Sequence, residues 1–244
     1  MAVRALFIAL VVVLAAAATV AVRAPAAWLG DWLASRSNLR LIDARGTIWS
    51  GSALLGVSNG RETTLVPGRL EWRVERLTTN AVVGRLAHPW LIAPLDVSLG
   101  AHGVVLAKGR ARVPAAVLAA AGAPFNTLRP GGLLELAWSD AALRGAALRG
   151  EVQIEWRDAQ SALSTVVPLG SYRLRIAGDG NSPTLDLQTL SGPLQLRGTG
   201  KMSGSHVKFS GVASAEPAMR PALDGLLGLL GMRSGDKVML AIDT

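Results

Sequence analysis

Apolar and polar residues alternate with a period of two along most of the chain beyond Leu41, and this pattern restricts the fold more than any other. In Arg69 to Glu75, Leu70, Trp72 and Val74 fall on one side while Arg69, Glu71, Arg73 and Glu75 fall on the other. Glu151 to Arg157 repeats the arrangement with Val152, Ile154 and Trp156. Tyr172, Leu174 and Ile176, then Leu185 and Leu187, Leu194 and Leu196, and Val207 and Phe209 continue it. Side chains of a strand point alternately to its two faces, so such segments read as half-buried strands of an antiparallel sheet. The 27 glycines and 12 prolines agree, since they favour many short strands and turns over long helices.

The two tryptophan strands suggest an internal duplication. Leu70-Glu71-Trp72-Arg73 matches Ile154-Glu155-Trp156-Arg157, and a glycine-led strand follows each, at Gly84-Arg85-Leu86 and at Gly170-Ser171-Tyr172-Arg173-Leu174. Later, Pro114 precedes an Ala/Leu helix ending at Gly122 and a strand from Leu133 to Trp138. Pro217 likewise precedes a Leu-rich helix from Arg220 to Leu230 ending at Gly231, with a strand from Lys237 to Ile242 beyond it. Proline near a helix start and glycine just past its end is the expected asymmetry. The expectation is therefore a mainly β chain: an N-terminal transmembrane helix, then a curved antiparallel sheet of two tandem units, each closed by one short apolar helix. The expected divisions are 1–24 for the anchor, 25–40 for a juxtamembrane helix, and 41–140 and 141–244 for the two β-rich units.

The anchor is read from Ala5 to Val22, an uncharged run between Arg4 and Arg23. Its length is at the short end of what spans a bilayer and exceeds the usual core of a cleaved signal peptide. Arg23, Arg36, Arg40 and Arg45 follow the run, and counted literally they would hold the large domain in the cytoplasm, although long soluble domains translocate largely regardless of charge. In the juxtamembrane stretch, Trp28, Leu29, Trp32 and Leu33 form one apolar stripe that suits either the membrane interface or the domain's own core.

Between anchor and sheet lies Arg45-Gly46-Thr47-Ile48-Trp49-Ser50-Gly51-Ser52-Ala53-Leu54. Glycine at 46 and 51 lets the chain turn, while Thr47, Ile48 and Trp49 favour a pleated surface, so a bent strand or bulge is expected, or a plain turn between strands. A core position for Trp49 would make Trp49→Ala cost about 3 kcal/mol.

Net charge of +8 points toward acidic partners, yet the arginines are dispersed, with neither a basic cluster nor interleaved aromatics, which argues against nucleic-acid binding. With no cysteine, thiol chemistry, disulfides and cysteine-based metal sites are excluded. His88, His102 and His206 stand isolated, so no metal site is expected. Gly198-Thr199-Gly200-Lys201 lacks both the leading glycine and the following Ser or Thr of a phosphate loop, and reads as a turn between strands. No nucleophile elbow or carboxylate pair is present, so neither catalytic nor cofactor-binding residues are expected.

Taken together, Pro25-Ala26-Ala27-Trp28-Leu29, then Leu41 to Ala53 with its Gly-Thr-Ile-Trp-Ser-Gly box, the paired tryptophan strands, Pro168-Leu169-Gly170-Ser171-Tyr172 and Leu223 to Gly231 resemble the type II secretion system protein N family. The resemblance implies a non-enzymatic accessory protein of the type II secretion machinery, single-pass in the bacterial inner membrane with a periplasmic β-domain. Its implied partners are other secretion components, namely the inner-membrane platform and the secretin. Gly46, Thr47, Trp49, Gly51, Trp72, Trp156 and Gly170 would be structural motif positions, with no catalytic residue among them. Read from the residues alone, a second function stays open: an anchored lipid-binding or lipid-transfer module whose sheet forms an apolar groove.

Overall fold

The computed structural model of the chain describes residue 20 and residues 22–58, 63–101, 103–122, 125–145, 147–204 and 206–243. Most of the run from Ala5 to Val22 lies outside the described residues, as does His102. Among the described residues no helix is long and apolar enough to cross a membrane. The chain is mainly antiparallel β with few helices, and it forms two compact units, residues 1–76 with 84–88 and residues 77–83 with 89–244.

The first unit holds helix α1 (Ala26–Ala34), strands β1 (Leu39–Gly46) and β2 (Ser50–Ser58), and the greater part of β3 (Thr63–Leu77) and β4 (Ala81–Ala87), strands that pair in chain order. Small residues let the helix lie close to the sheet. Ala26 and Ala53 are buried against Trp72, and Leu29, Leu41, Ala44 and Leu86 close the cluster. The stripe foreseen on this helix divides: Leu29 turns to the core, whereas Trp28 and Trp32 stay 53% and 47% exposed. Arg40 ends the helix by donating to the carbonyls of Ala34 and Ser37, both at 3.0 Å, where the last turn leaves acceptors unpaired.

The second unit contains β5 (Leu95–Gly100), β6 (Gly103–Leu106), β7 (Gly109–Pro114), β8 (Pro130–Trp138), β9 (Ala141–Arg144), β10 (Ala147–Ser161), β11 (Gly170–Asp179), β12 (Thr184–Ser191), β13 (Leu194–Ser203), β14 (His206–Ala215), β15 (Met232–Ser234) and β16 (Lys237–Asp243). Strand β10 is the branch point. Its Ala147–Arg149 portion pairs β9, its Val152–Ser161 portion pairs β8, and its other edge pairs β11. From β11 the sheet runs through β12, β13, β14 and β16 to β15. The boundary expected at residue 140 falls inside this unit, among strands that share β10.

Helix α3 (Arg220–Leu230) buries Leu223, Leu226 and Leu227, an i, i+3, i+4 stripe, against Ala213, Ala215 and Val238 of β14 and β16. The other expected helix takes a different form: Ala115–Ala121 is a 3-10 helix ending at Gly122, followed by a single α-helical turn, α2 (Phe125–Leu128). Of its described residues only Ala115 is buried, so it lacks the packed apolar stripe that holds α3 against the sheet. Gly198 to Lys201, expected to be a turn, is the interior of β13, paired to β14 through Gly198↔Gly211 and Lys201↔Lys208. Its glycines accommodate the ring of Phe209, which a Cβ at Gly198 or Gly200 would strike.

Candidate functional site: a glycine–tryptophan corner and an apolar groove

The Gly-Thr-Ile-Trp-Ser-Gly box is the connection of the β1–β2 hairpin, closed by the Gly46↔Gly51 pair; the bulge lies just before it, between Ile42 and Arg45. Gly46 has φ +85, and a Cβ there would meet the Ser50 carbonyl at 2.5 Å. Thr47 stitches the turn: its N–H donates to Ser50 O at 2.9 Å, and its Oγ1 accepts from the N–H groups of Trp49 and Ser50 at 3.3 and 3.2 Å. The same turn ties down the chain before α1, because Ile48 N–H donates to Ala24 O at 3.0 Å and Pro25 bridges Thr47.

Trp72, opposite Gly51 in the β2–β3 register, is the core residue of this corner. It is 7% exposed, and its Nε1 donates to Thr47 O at 3.2 Å. A Cβ on Gly51 would lie 2.5 Å from Trp72 Cζ2, so the glycine is the flat surface on which the indole rests. Trp49 takes a different place: it is half-buried, and its carbonyl accepts from Val74 N–H at 2.6 Å. Gly46, Thr47, Gly51 and Trp72 therefore meet in one corner, with Trp49 at its side.

Trp156 and Gly170 meet separately in the second unit. Trp156 faces Tyr172 across β10 and β11, ring centroids 6.0 Å apart, and its Nε1 donates to Gly131 O at 2.8 Å. Tyr172 is buried, its hydroxyl donates to Leu194 O at 3.0 Å, and burial pushes the phenol pKa up, which keeps the proton on the donor. A Cβ on Gly170 would approach that hydroxyl to 2.9 Å and Ser191 O to 2.6 Å.

Sequence reasoning did not find the ionic groups, whose members lie far apart in the chain. Asp43, with φ +52 at the bulge, accepts from Arg69 at 2.8 Å and Arg45 at 2.9 Å, and these guanidinium groups hold its carboxyl below the usual range, Arg69 most. On the polar face of the second unit, Glu135 and Glu155 sit among Arg112, Arg157 and Arg173. The bond from Arg173 depresses the Glu155 pKa most. These acids are neutralised by arginines, and among the described residues no three His, Asp or Glu side chains converge as a metal site would require.

Grooves open on both faces of this unit, and the one on the face opposite these acids is apolar. A groove of about 450 Å³ is lined by Leu95, Leu106, Trp138, Leu148, Val152, Ile176 and neighbouring apolar residues, including Leu143 and Met202. The one polar side-chain atom in that lining, Trp138 Nε1, already donates to Ala107 O at 2.8 Å. Sheet pairing engages the backbone beneath it, as at Val152↔Trp138, Val152↔Ile176 and Leu148↔Leu143.

A mainly antiparallel β-protein with a tryptophan-locked hairpin corner and an apolar sheet face is thus the class that fold and geometry define. The sequence model of type II secretion system (T2SS) protein N matches residues 37–240. The chain belongs to that family, and with it to the components of the type II secretion apparatus of the bacterial envelope. The matched region starts just after α1 and includes the whole corner. No curated protein and no solved structure matches the chain.

Proposed function

We propose that the chain is a non-enzymatic accessory component of the type II secretion machinery, held in the inner membrane by Ala5 to Val22 with its β-units in the periplasm. The observation that carries this reading is the family match across residues 37–240. The geometry is in keeping with it. The carboxylates of Asp43, Glu135 and Glu155 are occupied by arginines, and the motif residues Gly46, Thr47, Gly51, Trp72, Trp156 and Gly170 make contacts that hold backbone together. Their role is structural: the hairpin corner joins the segment after the anchor to the sheet. Exposed Trp28 and Trp32, the latter with the Arg36 guanidinium 4.8 Å from its ring centroid, suit the bilayer interface next to such an anchor.

Partners are other secretion components, the inner-membrane platform and the secretin, and the mode of contact is strand addition at a sheet edge. Strand β15 supports this as the docking edge, since it ends the strand order and all three of its residues are exposed. Its Met232 is 79% exposed, and beside it Leu229 and Met239 are 66% and 47% exposed. The tandem duplication is part of the proposal. Strands β3 and β10 each have 15 residues with tryptophan tenth, and each indole donates to a carbonyl 25 residues earlier in the chain. A reporter fused after Thr244 tests the topology: periplasmic activity is expected, and activity confined to the cytoplasm would remove the reading.

A further inference from the structure

We infer that the groove between Leu95, Leu106, Leu143, Leu148, Ile176 and Met202 is a binding site for an acyl chain of a membrane phospholipid. The volume, about 450 Å³, is in the range of small-molecule sites. The lining selects the ligand chemistry. A peptide laid there would bring amide groups with nothing to pair with, because Trp138 Nε1 is engaged and the backbone beneath is committed to the sheet. Each unpaired amide would cost on the order of 1–3 kcal/mol, a penalty that hydrocarbon does not incur.

The cationic side chains next in sequence to the lining, Arg144 and Lys201, adjoin Leu143 and Met202 within strands and so fall on the opposite face, which leaves the lining itself apolar. The chain also carries its own route to a lipid source, since the run from Ala5 to Val22 has the length and apolarity to enter a bilayer and ends shortly before the described domain.

The site is tested in intact membranes with the full chain, placing a benzophenone-bearing residue at Leu143 in the groove and, in a second variant, at exposed Gln188 on the polar face. Leu143 is already 36% exposed, so the larger side chain is accommodated, and an unchanged thermal transition verifies folding. The expected result is an adduct with the mass of a phospholipid at 143, at least tenfold above that at 188. A protein-sized adduct at 143, a free fatty-acid adduct, equal yields at the two positions, or no lipid adduct at 143 would each overturn the inference. A third variant with the label at Leu14 separates this outcome from failure of the anchor: lipid adducts at 14 with none at 143 would remove the groove site and leave the anchor standing.

Discussion

Replacing Gly51 by alanine should damage the fold far more than one methyl group ordinarily does. The added Cβ would lie 2.5 Å from Arg45 O and 2.5 Å from Trp72 Cζ2, where ordinary contacts begin near 3.4 Å. The Arg45 carbonyl belongs to β1, paired with β2 on both sides of the contact, and has little freedom to retreat. Relief must then come from the indole, which is 7% exposed and wedged against Ala26 and Ala53. Overpacking of a closed site costs about 1–3 kcal/mol, and losing the Trp72 Nε1 bond to Thr47 O adds about 1 kcal/mol. A loss of roughly 2–4 kcal/mol follows from these two contributions. Gly228→Ala is the internal control: Gly228 lies inside α3 with nothing within 4 Å of its Cβ position, so alanine should stabilise by about 0.5–1 kcal/mol. Urea unfolding of the full chain in detergent, followed by tryptophan fluorescence, measures both. A Gly51→Ala midpoint equal to wild type, with Trp72 still buried, would refute the reasoning.

Trp72→Ala should cost about 3–5 kcal/mol and half-buried Trp49→Ala about 1–2 kcal/mol, so equal losses in the same unfolding assay would contradict the assignment of Trp72 as the core residue. Trp156→Phe keeps a ring but forfeits the bond to Gly131 O; a loss of about 1–2 kcal/mol in thermal unfolding is expected, the upper end if the carbonyl stays dry. Acid stability should depend on Glu155, whose ordinary pKa of 4.5 is lowered in the fold chiefly by Arg173. Its stabilising contribution is complete above the unfolded value and is lost as pH falls from there through the folded value, so Glu155→Gln should flatten that part of a stability-against-pH curve; an unchanged slope would show the pair to be inert.

The strands were legible because one face of each is half-buried, which writes the period of two into the residues at Arg69–Glu75 and Glu151–Arg157. Helix α3 was legible through Pro217, Gly231 and its leucine-rich run. The Ala/Leu stretch after Pro114 carries the same punctuation and closes as a 3-10 helix; neither stretch has a side-chain cap, and the difference lies in the leucine stripe that α3 packs on β14 and β16. Which tryptophan forms the corner could not be read from the box itself. Trp49 stands in the glycine-bounded turn and Trp72 in an alternating strand, and the packing of Ala26 and Ala53 against Trp72 decides between them. The Asp43–Arg69 pair spans 26 residues and leaves no local pattern, and the groove is a property of strand order, β6–β9–β10–β11, that alternation cannot specify.

The central claim, that this member of the T2SS protein N family works by contacting other secretion components, is tested most directly by photocrosslinking in secreting cells from Met232 on the exposed β15 edge. The account predicts an adduct with an inner-membrane platform protein or the secretin, lost when Met239 on the paired strand is replaced by a charged residue. Efficient labelling that captures no secretion component at that edge would contradict it.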